Sequence, residues 1–335
     1  MDLDVLIVGA GPAGIFASFQ SGMLGMSSAI LDILPHAGGQ CIELYPDKPI
    51  YDIAGLPKIL AKDLISNLKA QASPFNPTYY FNTQAISIKE LQNNRFEVTA
   101  SDNLNIVCKV IIIASGNGAF VPNKPAIKNL QDFETSSVFY SVKDPELFRD
   151  KNVLIAGGGD SAIDWAINLS RIAKNIYLVH RRDKFRCAPA SLEKVMYLKD
   201  QGLIQFLTPY QVMSIDGRNG YIKQAMLQNF ITNEIKTVEL DYLLAFFGLK
   251  MDLGPIKDWG LEIENNKIKV DNCFYQTNRD GIYAIGDVCH YEGKLKLILT
   301  SFSEAASALH HAYSRVFDGK QLHFEYSTNK GIPNQ

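Results

Sequence analysis

The residues Gly9-Ala10-Gly11-Pro12-Ala13-Gly14 constrain this chain more than any other stretch. The apolar run Val5-Leu6-Ile7-Val8 precedes them, and a helical pattern through Ile15, Phe16 and Phe19 follows. A second apolar run, Ser28 to Leu31, ends at Asp32. Strand, G-x-G-x-x-G and helix together predict a nucleotide-binding unit. The first glycine permits the tight turn, the second lets backbone approach a pyrophosphate, and the third lets helix and strand pack closely. The helix N-terminus then offers free N–H groups and partial positive charge to the phosphates. Asp32 lies 18 residues beyond Gly14, where a carboxylate accepts hydrogen bonds from ribose hydroxyls.

The pattern recurs. Asn152 to Ala156 reads as a strand and Gly157-Gly158-Gly159-Asp160-Ser161-Ala162 as the G-x-G-x-x-A variant. A helix is predicted from about Ser161 to Ala173, then a strand from Ile176 to Val179. Gly157, Gly159 and Ala162 occupy the three small-residue positions. The residue 18 beyond Ala162 is His180, followed by Arg181 and Arg182, with Arg186 nearby. A carboxylate there would favour a free 2′-hydroxyl and repel a 2′-phosphate. Guanidinium groups reverse that choice, because they bond phosphate oxygens in a fixed and often bidentate geometry. The other reading is a solvated basic loop; the register favours the phosphate. The first unit therefore suits FAD and the second NADPH, and a flavin beside a nicotinamide implies hydride transfer.

Composition removes other classes. The chain has 335 residues, enough for about two domains with separate cores. Its formal net charge of −2 makes no electrostatic case for nucleic acid or a membrane surface. No run approaches the ~18 apolar residues of a membrane span. The start Met1-Asp2-Leu3-Asp4 lacks the basic and apolar segments of a secretion signal. The five cysteines, Cys41, Cys108, Cys187, Cys273 and Cys289, are odd in number and form no C-x-x-C, so neither a disulfide scaffold nor a metal site is expected. Reduced thiols and a cytoplasmic location are the simplest reading. His36, His310 and His311 have no ligand-like spacing and are expected to be structural or exposed.

GAGPAG, GGGDSA, HRRDKFR and Ala284-Ile285-Gly286-Asp287 together resemble the two-domain flavoprotein reductases of the thioredoxin reductase type. That resemblance implies an α/β fold of two Rossmann-like, three-layer nucleotide-binding domains, the NADPH domain inserted within the FAD domain. It implies an FAD domain of residues 1–118 plus 248–335 and an NADPH domain of 119–247. Thioredoxin reductases carry C-x-x-C shortly before the second glycine motif; here residues 136–142 contain no cysteine. Glutathione-reductase relatives use C-x-x-x-x-C, and the partner position for Cys41 is Pro46. Disulfide exchange needs two thiols, so both routes are closed. The chain is more closely similar to the thioredoxin-reductase-like ferredoxin–NADP reductases. That similarity is carried by Leu44 to Lys48, Tyr51 to Gly55, Gly116 to Phe120, Gly157 to Trp165, Gly254 to Gly260 and Tyr291 to Lys294.

By that resemblance Gln40, Tyr45, Ile86, Phe120, Asp287 and Thr328 join Gly9, Gly11, Gly14 and Asp32 around FAD. Tyr45 would lay its ring on one flavin face, and Asp287, at a strand end, would bond the ribitol. Ile86 would meet the adenine through its backbone; for Ile86 and Phe120 ordinary core packing is equally open. The helix from about Ser303 to Phe317 carries Ala305, Ala306 and Ala308, which suit close approach to a ligand and also simply favour helix. In the related reductases a C-terminal aromatic covers the second flavin face from the partner subunit. Tyr326 stands there in place of the usual histidine, which keeps stacking and removes a proton donor. Ser327 or Thr328 would then lie near flavin N5; the other reading of this segment is a polar tail. Lys58, Lys62 and Lys69 share one face of a predicted helix, Leu56 to Ala72, and either steer an acidic ferredoxin or are simply solvated.

The resemblance implies a homodimeric, FAD-dependent oxidoreductase passing electrons between NADPH and ferredoxin or flavodoxin, with no obligatory side-chain acid or base. Two alternatives stay open: an NADPH-dependent flavin oxidoreductase with another acceptor, such as a quinone or dye, and a non-enzymatic flavin-binding redox sensor.

Overall fold

A computed structural model gives the structure of residues 2–118, 121–134, 136–142, 144–250, 252–323 and 325–332. The chain forms two compact units, one of residues 1–120 with 251–335 and one of residues 121–250.

The first unit is built on the strand Asp2–Val8, parallel to Ser28–Leu31 on one side and to Asn105–Ile113 on the other. Thr78–Tyr80 extends the sheet beyond Ser28–Leu31, and Ile282–Ala284 pairs in parallel with Ile111 to Ile113. The early residues of Asn105–Ile113 also pair antiparallel with Arg95–Ala100, which pairs with Ala85–Leu91. Alternation along the central strands divides the core, as a period of two requires. Val5, Ile7, Val110 and Ile112 pack under the helices Pro12–Met23, Ala61–Ala72 and Ile298–Val316. Leu6, Val8, Ile111 and Ile113 pack on the opposite face with Phe96, Val98 and Trp259.

The second unit is a parallel sheet ordered Val138–Phe139, Tyr242–Ala245, Asn152–Ala156, Asn175–Val179, Gln205–Leu207. Val153 and Ile155 face the helices Asp160–Leu169 and Pro189–Asp200. Leu154 and Ala156 face a three-stranded antiparallel sheet, Tyr210–Arg218, Tyr221–Asn229 and Ile235–Glu239. Helices, parallel sheet and antiparallel sheet make three layers of an α/β fold.

Three predicted helices have different bounds. The first begins at Ala61 rather than Leu56, because Ile59–Leu60 is a strand paired with Pro49–Ile50. Lys58 therefore precedes the helix, and Lys62 is ion-paired with Asp47 at 2.6 Å. The second ends at Leu169, whose carbonyl accepts the amides of Ile172 and Ala173 in closing turns. The last starts at Ile298, five residues early; the Thr300 hydroxyl donates to the Leu297 carbonyl and closes its first turn. No helix among the described residues is long and apolar enough to cross a membrane.

Candidate functional site

The first glycine turn opens onto a cleft lined by Gly9, Gly11, Asp32, Gln40, Tyr45 and Asp287. Its glycines differ in what surrounds them. Gly9 has φ +113° and its missing Cβ would lie 2.4 Å from the Ala114 carbonyl oxygen. A Cβ on Gly14 would lie 1.8 Å from the Gly9 carbonyl oxygen, so helix and turn touch there. Gly11 has open space where a Cβ would go. The turn thus packs tightly through its outer glycines and leaves its middle one facing the cleft.

Asp32 ends the neighbouring strand and organises the turn. Its two oxygens accept the amides of Ala10 at 2.6 Å and Leu34 at 2.8 Å. Burial raises the carboxyl above its ordinary pKa, while those amides pull in the other direction. Gln40 opens a short helix, Gln40–Glu43, behind Gly39. Tyr45 is half-buried, and burial raises its phenol pKa, reinforced by Cys41, whose thiol is 3.9 Å from the phenol oxygen. Asp287 follows Ile282–Ala284, and Ser301 lines the cleft from the first turn of Ile298–Val316.

Sequence reasoning missed Ser115 and Lys296, which also line this cleft. The Ser115 hydroxyl oxygen is buried and has no hydrogen-bond partner among the described residues. An orphaned hydroxyl, an acceptor carboxylate and an open face over Gly11 fit a polar, phosphate-bearing ligand such as a dinucleotide. A strand followed by Ala114-Ser115-Gly116 was the available signal for Ser115; Lys296 had none.

Ile86, Tyr326 and Thr328 do not line this cleft. Ile86 is exposed, and its carbonyl accepts the Trp259 indole N–H at 3.1 Å. Tyr326 is 68% exposed, and Thr328 is also exposed. Phe120 and the Ser327 side chain lie outside the described residues. The His36 ring Nε2 lies 2.9 Å from the Glu43 carboxylate, and His311 meets the Tyr283 hydroxyl at 2.8 Å.

In the second unit the loop after Asn175–Val179 is tied to the Gly157–Ala162 turn. The Arg186 amide donates to the Gly158 carbonyl at 2.7 Å, and the Ala188 amide to the Asp160 carboxylate at 2.9 Å. The His180 ring lies where a Cβ on Gly158 would go, 2.4 Å from that point, and stacks on Phe185 at 5.3 Å. Burial lowers its pKa, and the charges of Arg181, Arg182 and Arg186 lower it further. The three arginines are exposed. A loop rich in guanidinium groups, fastened beside a glycine turn, can bind an anion such as a ribose phosphate. No group of His, Cys, Asp and Glu among the described residues could hold a metal ion.

Residues 3–309 match the family described as pyridine nucleotide-disulphide oxidoreductase. The chain is 55% identical over 327 residues to a protein of Rickettsia felis named ferredoxin–NADP reductase, covering 98% of this chain and 97% of that one. The chain belongs to the pyridine nucleotide-disulphide oxidoreductases, among the ferredoxin–NADP reductases. A ferredoxin–NADP reductase of Rickettsia prowazekii is 54% identical, covering 98% of this chain and 97% of its own. Two solved thioredoxin reductases share the fold. That of Lactococcus lactis has a TM-score of 0.78 at 26% identity, covering 94% of this chain and 99% of its own. That of T. acidophilum has a TM-score of 0.79 at 27% identity, with the same coverage. This family member is an oxidoreductase whose five cysteines are all unpaired. Burial raises the thiol pKa of Cys41, and pushes those of Cys108 and Cys289 up to about 12, which disfavours the reactive thiolate.

Proposed function

We propose that this chain is an FAD-dependent oxidoreductase that moves electrons between NADPH and ferredoxin. The observation that carries the reading is the 55% identity to ferredoxin–NADP reductase along 98% of the chain. The cofactors are FAD and NADPH. FAD held in the first cleft would supply the redox chemistry, accepting a hydride from NADPH and passing electrons singly to the carrier protein.

The residues divide the work. Gly11 and the first turn of Pro12–Met23 receive the FAD pyrophosphate, and Asp32 accepts from the adenosine ribose. Gln40, Tyr45 and Asp287 contact the ribitol and ring, with Tyr45 against one face. Ile86, Phe120 and Thr328 belong to this set by resemblance to the related reductases. In the second unit Gly157, Gly159 and Ala162 accommodate the NADPH pyrophosphate. His180, Arg181, Arg182 and Arg186 surround the adenosine 2′-phosphate. Two charge-assisted hydrogen bonds of about 1.5–3 kcal/mol each favour NADPH over NADH by roughly a hundredfold or more.

The finer assignments follow the same reading. The protein is a homodimer in which Tyr326 and Ser327 of one chain cover the flavin of the other; the exposure of Tyr326 in its own chain supports this. Flavodoxin is a second carrier, and unpaired thiols suit the cytoplasm. The test is cytochrome reduction by NADPH with and without added ferredoxin. Strong dependence on ferredoxin is expected; an equal rate without it would assign a different acceptor.

A further inference from the structure

A buried ion pair lies behind the wall of the first cleft. Glu304, in the helix Ile298–Val316, is 1% exposed, and the Lys294 side chain 5%. The Lys294 ammonium bonds Glu304 Oε1, and the Tyr291 hydroxyl donates to the same oxygen at 2.8 Å. The second oxygen, Oε2, accepts the Gly286 amide at 2.6 Å. The Cys289 thiol packs alongside, 3.2 Å from the Gly286 carbonyl. One carboxylate therefore holds two chain segments, Gly286–Asp287 and Tyr291–Lys294. Both lead directly into the cleft: Gly286 and Asp287 line one part of it, and Lys296 and Leu297 another.

Packing alone gives a poor reason for this arrangement. Taking two charges out of water is costly, and an apolar pair of similar volume is often as stable or more so. What an apolar residue at 304 would not supply is an acceptor for the buried Gly286 amide, which sits at φ +76°. Burial further withholds the Tyr291 proton, and the Glu304 carboxylate adds to that, so the phenol stays a donor to Glu304.

We propose that Glu304, with Lys294 as its counter-ion, is a positioning residue for the flavin, fixing the Gly286–Asp287 turn against the cleft and balancing the charge beside it. This rests on the reading that the first cleft holds FAD. Each partner cancels the field of the other, so removing either leaves one uncompensated charge in a low-dielectric wall. The sign of that charge decides which oxidation state of the flavin is favoured.

The test uses the full-length FAD-loaded protein and the variants Glu304→Gln, Lys294→Met, the double variant and Tyr291→Phe. Flavin midpoint potential and FAD dissociation are measured. Glu304→Gln should raise the potential and Lys294→Met lower it, with the double variant between them. A tenfold change in the reduction equilibrium corresponds to about 30 mV for a two-electron couple. Tyr291→Phe should weaken FAD binding roughly three- to tenfold. Unchanged potentials, or shifts of the same sign in both single variants, would overturn the proposal. Should the charge variants fail to fold, Tyr291→Phe decides, and wild-type FAD affinity in it would overturn the proposal. Failure of the unaltered chain to bind FAD would instead overturn the cofactor reading itself, and this proposal with it.

Discussion

The Arg186 amide donates to the Gly158 carbonyl at 2.7 Å, which ties the basic loop to the second glycine turn. The backbone of the loop is thereby fixed while the side chains of Arg181, Arg182 and Arg186 remain exposed. Replacing Arg181 and Arg182 by Gln should leave that tie and the fold intact. NADPH binding should weaken roughly a hundredfold, at about 1.5–3 kcal/mol for each lost charge-assisted bond, with NADH changed far less. Steady-state KM values for both coenzymes check this; equal losses would mean that the loop does not read the 2′-phosphate.

The first turn separates stability from binding at adjacent glycines. Gly11 has φ −72° and open space at its Cβ position, so Gly11→Val should fold and melt like the unaltered apoprotein. It should nonetheless fail to retain FAD, because the side chain enters the cleft. A methyl at Gly14 would meet the Gly9 carbonyl oxygen at 1.8 Å. Gly14→Ala should therefore cost about 1–3 kcal/mol or more in apoprotein stability through overpacking. Thermal melting and flavin absorbance of the two variants give opposite patterns if the cleft is the FAD site.

Asp32 couples FAD affinity to pH. Burial raises its pKa in the apoprotein, and ribose hydroxyls donating to the carboxylate would lower it again. Binding then releases protons, so affinity should rise with pH through the window between the bound and apo pKa values and level off above it. In the apoprotein the charged acid is disfavoured, so its cost to stability is present above the folded pKa and fades as pH falls through it. FAD titration upward from the ordinary carboxylate range should show the slope in the native chain and a much flatter curve in Asp32→Asn.

Electron transfer here should need no thiol. Cys41 is buried beside Tyr45, its thiol pKa is raised, and Pro46 occupies the position a redox partner would take. Cys41→Ser should keep turnover within about threefold, the scale of one weak contact. Loss of turnover in that variant with FAD still bound would show that the thiol takes part in electron transfer.

The two glycine units were readable in the sequence because everything that defines them is local. Val5 to Val8, Gly9 to Gly14 and Asp32 follow one another at fixed spacing, and so do their counterparts from Asn152 to Arg182. The start of Ile298–Val316 was not readable. Leu295, Leu297 and Leu299 alternate with other residues as a strand would, and the helical turn is closed on the Leu297 carbonyl by the Thr300 hydroxyl and the Ser301 amide. The short hairpin that delays the helix to Ala61 depends on pairing across eight intervening residues, from Ile50 to Ile59. Lys294 lies in the stretch Tyr291 to Lys294 that carries the resemblance, but its pairing with Glu304 is recognisable only once the helix and the Gly286 turn are folded together. Ser115 had a sequence context but no chemistry until its hydroxyl proved buried without a partner.

The most direct test of the central claim is anaerobic addition of NADPH to the FAD-reconstituted protein, followed by oxidised ferredoxin, with the visible flavin absorbance recorded throughout. The absorbance should fall with about one equivalent of NADPH, as a two-electron hydride donor requires, and return when ferredoxin is added. A flavin that keeps its colour under NADPH, or stays reduced in the presence of ferredoxin, would contradict it.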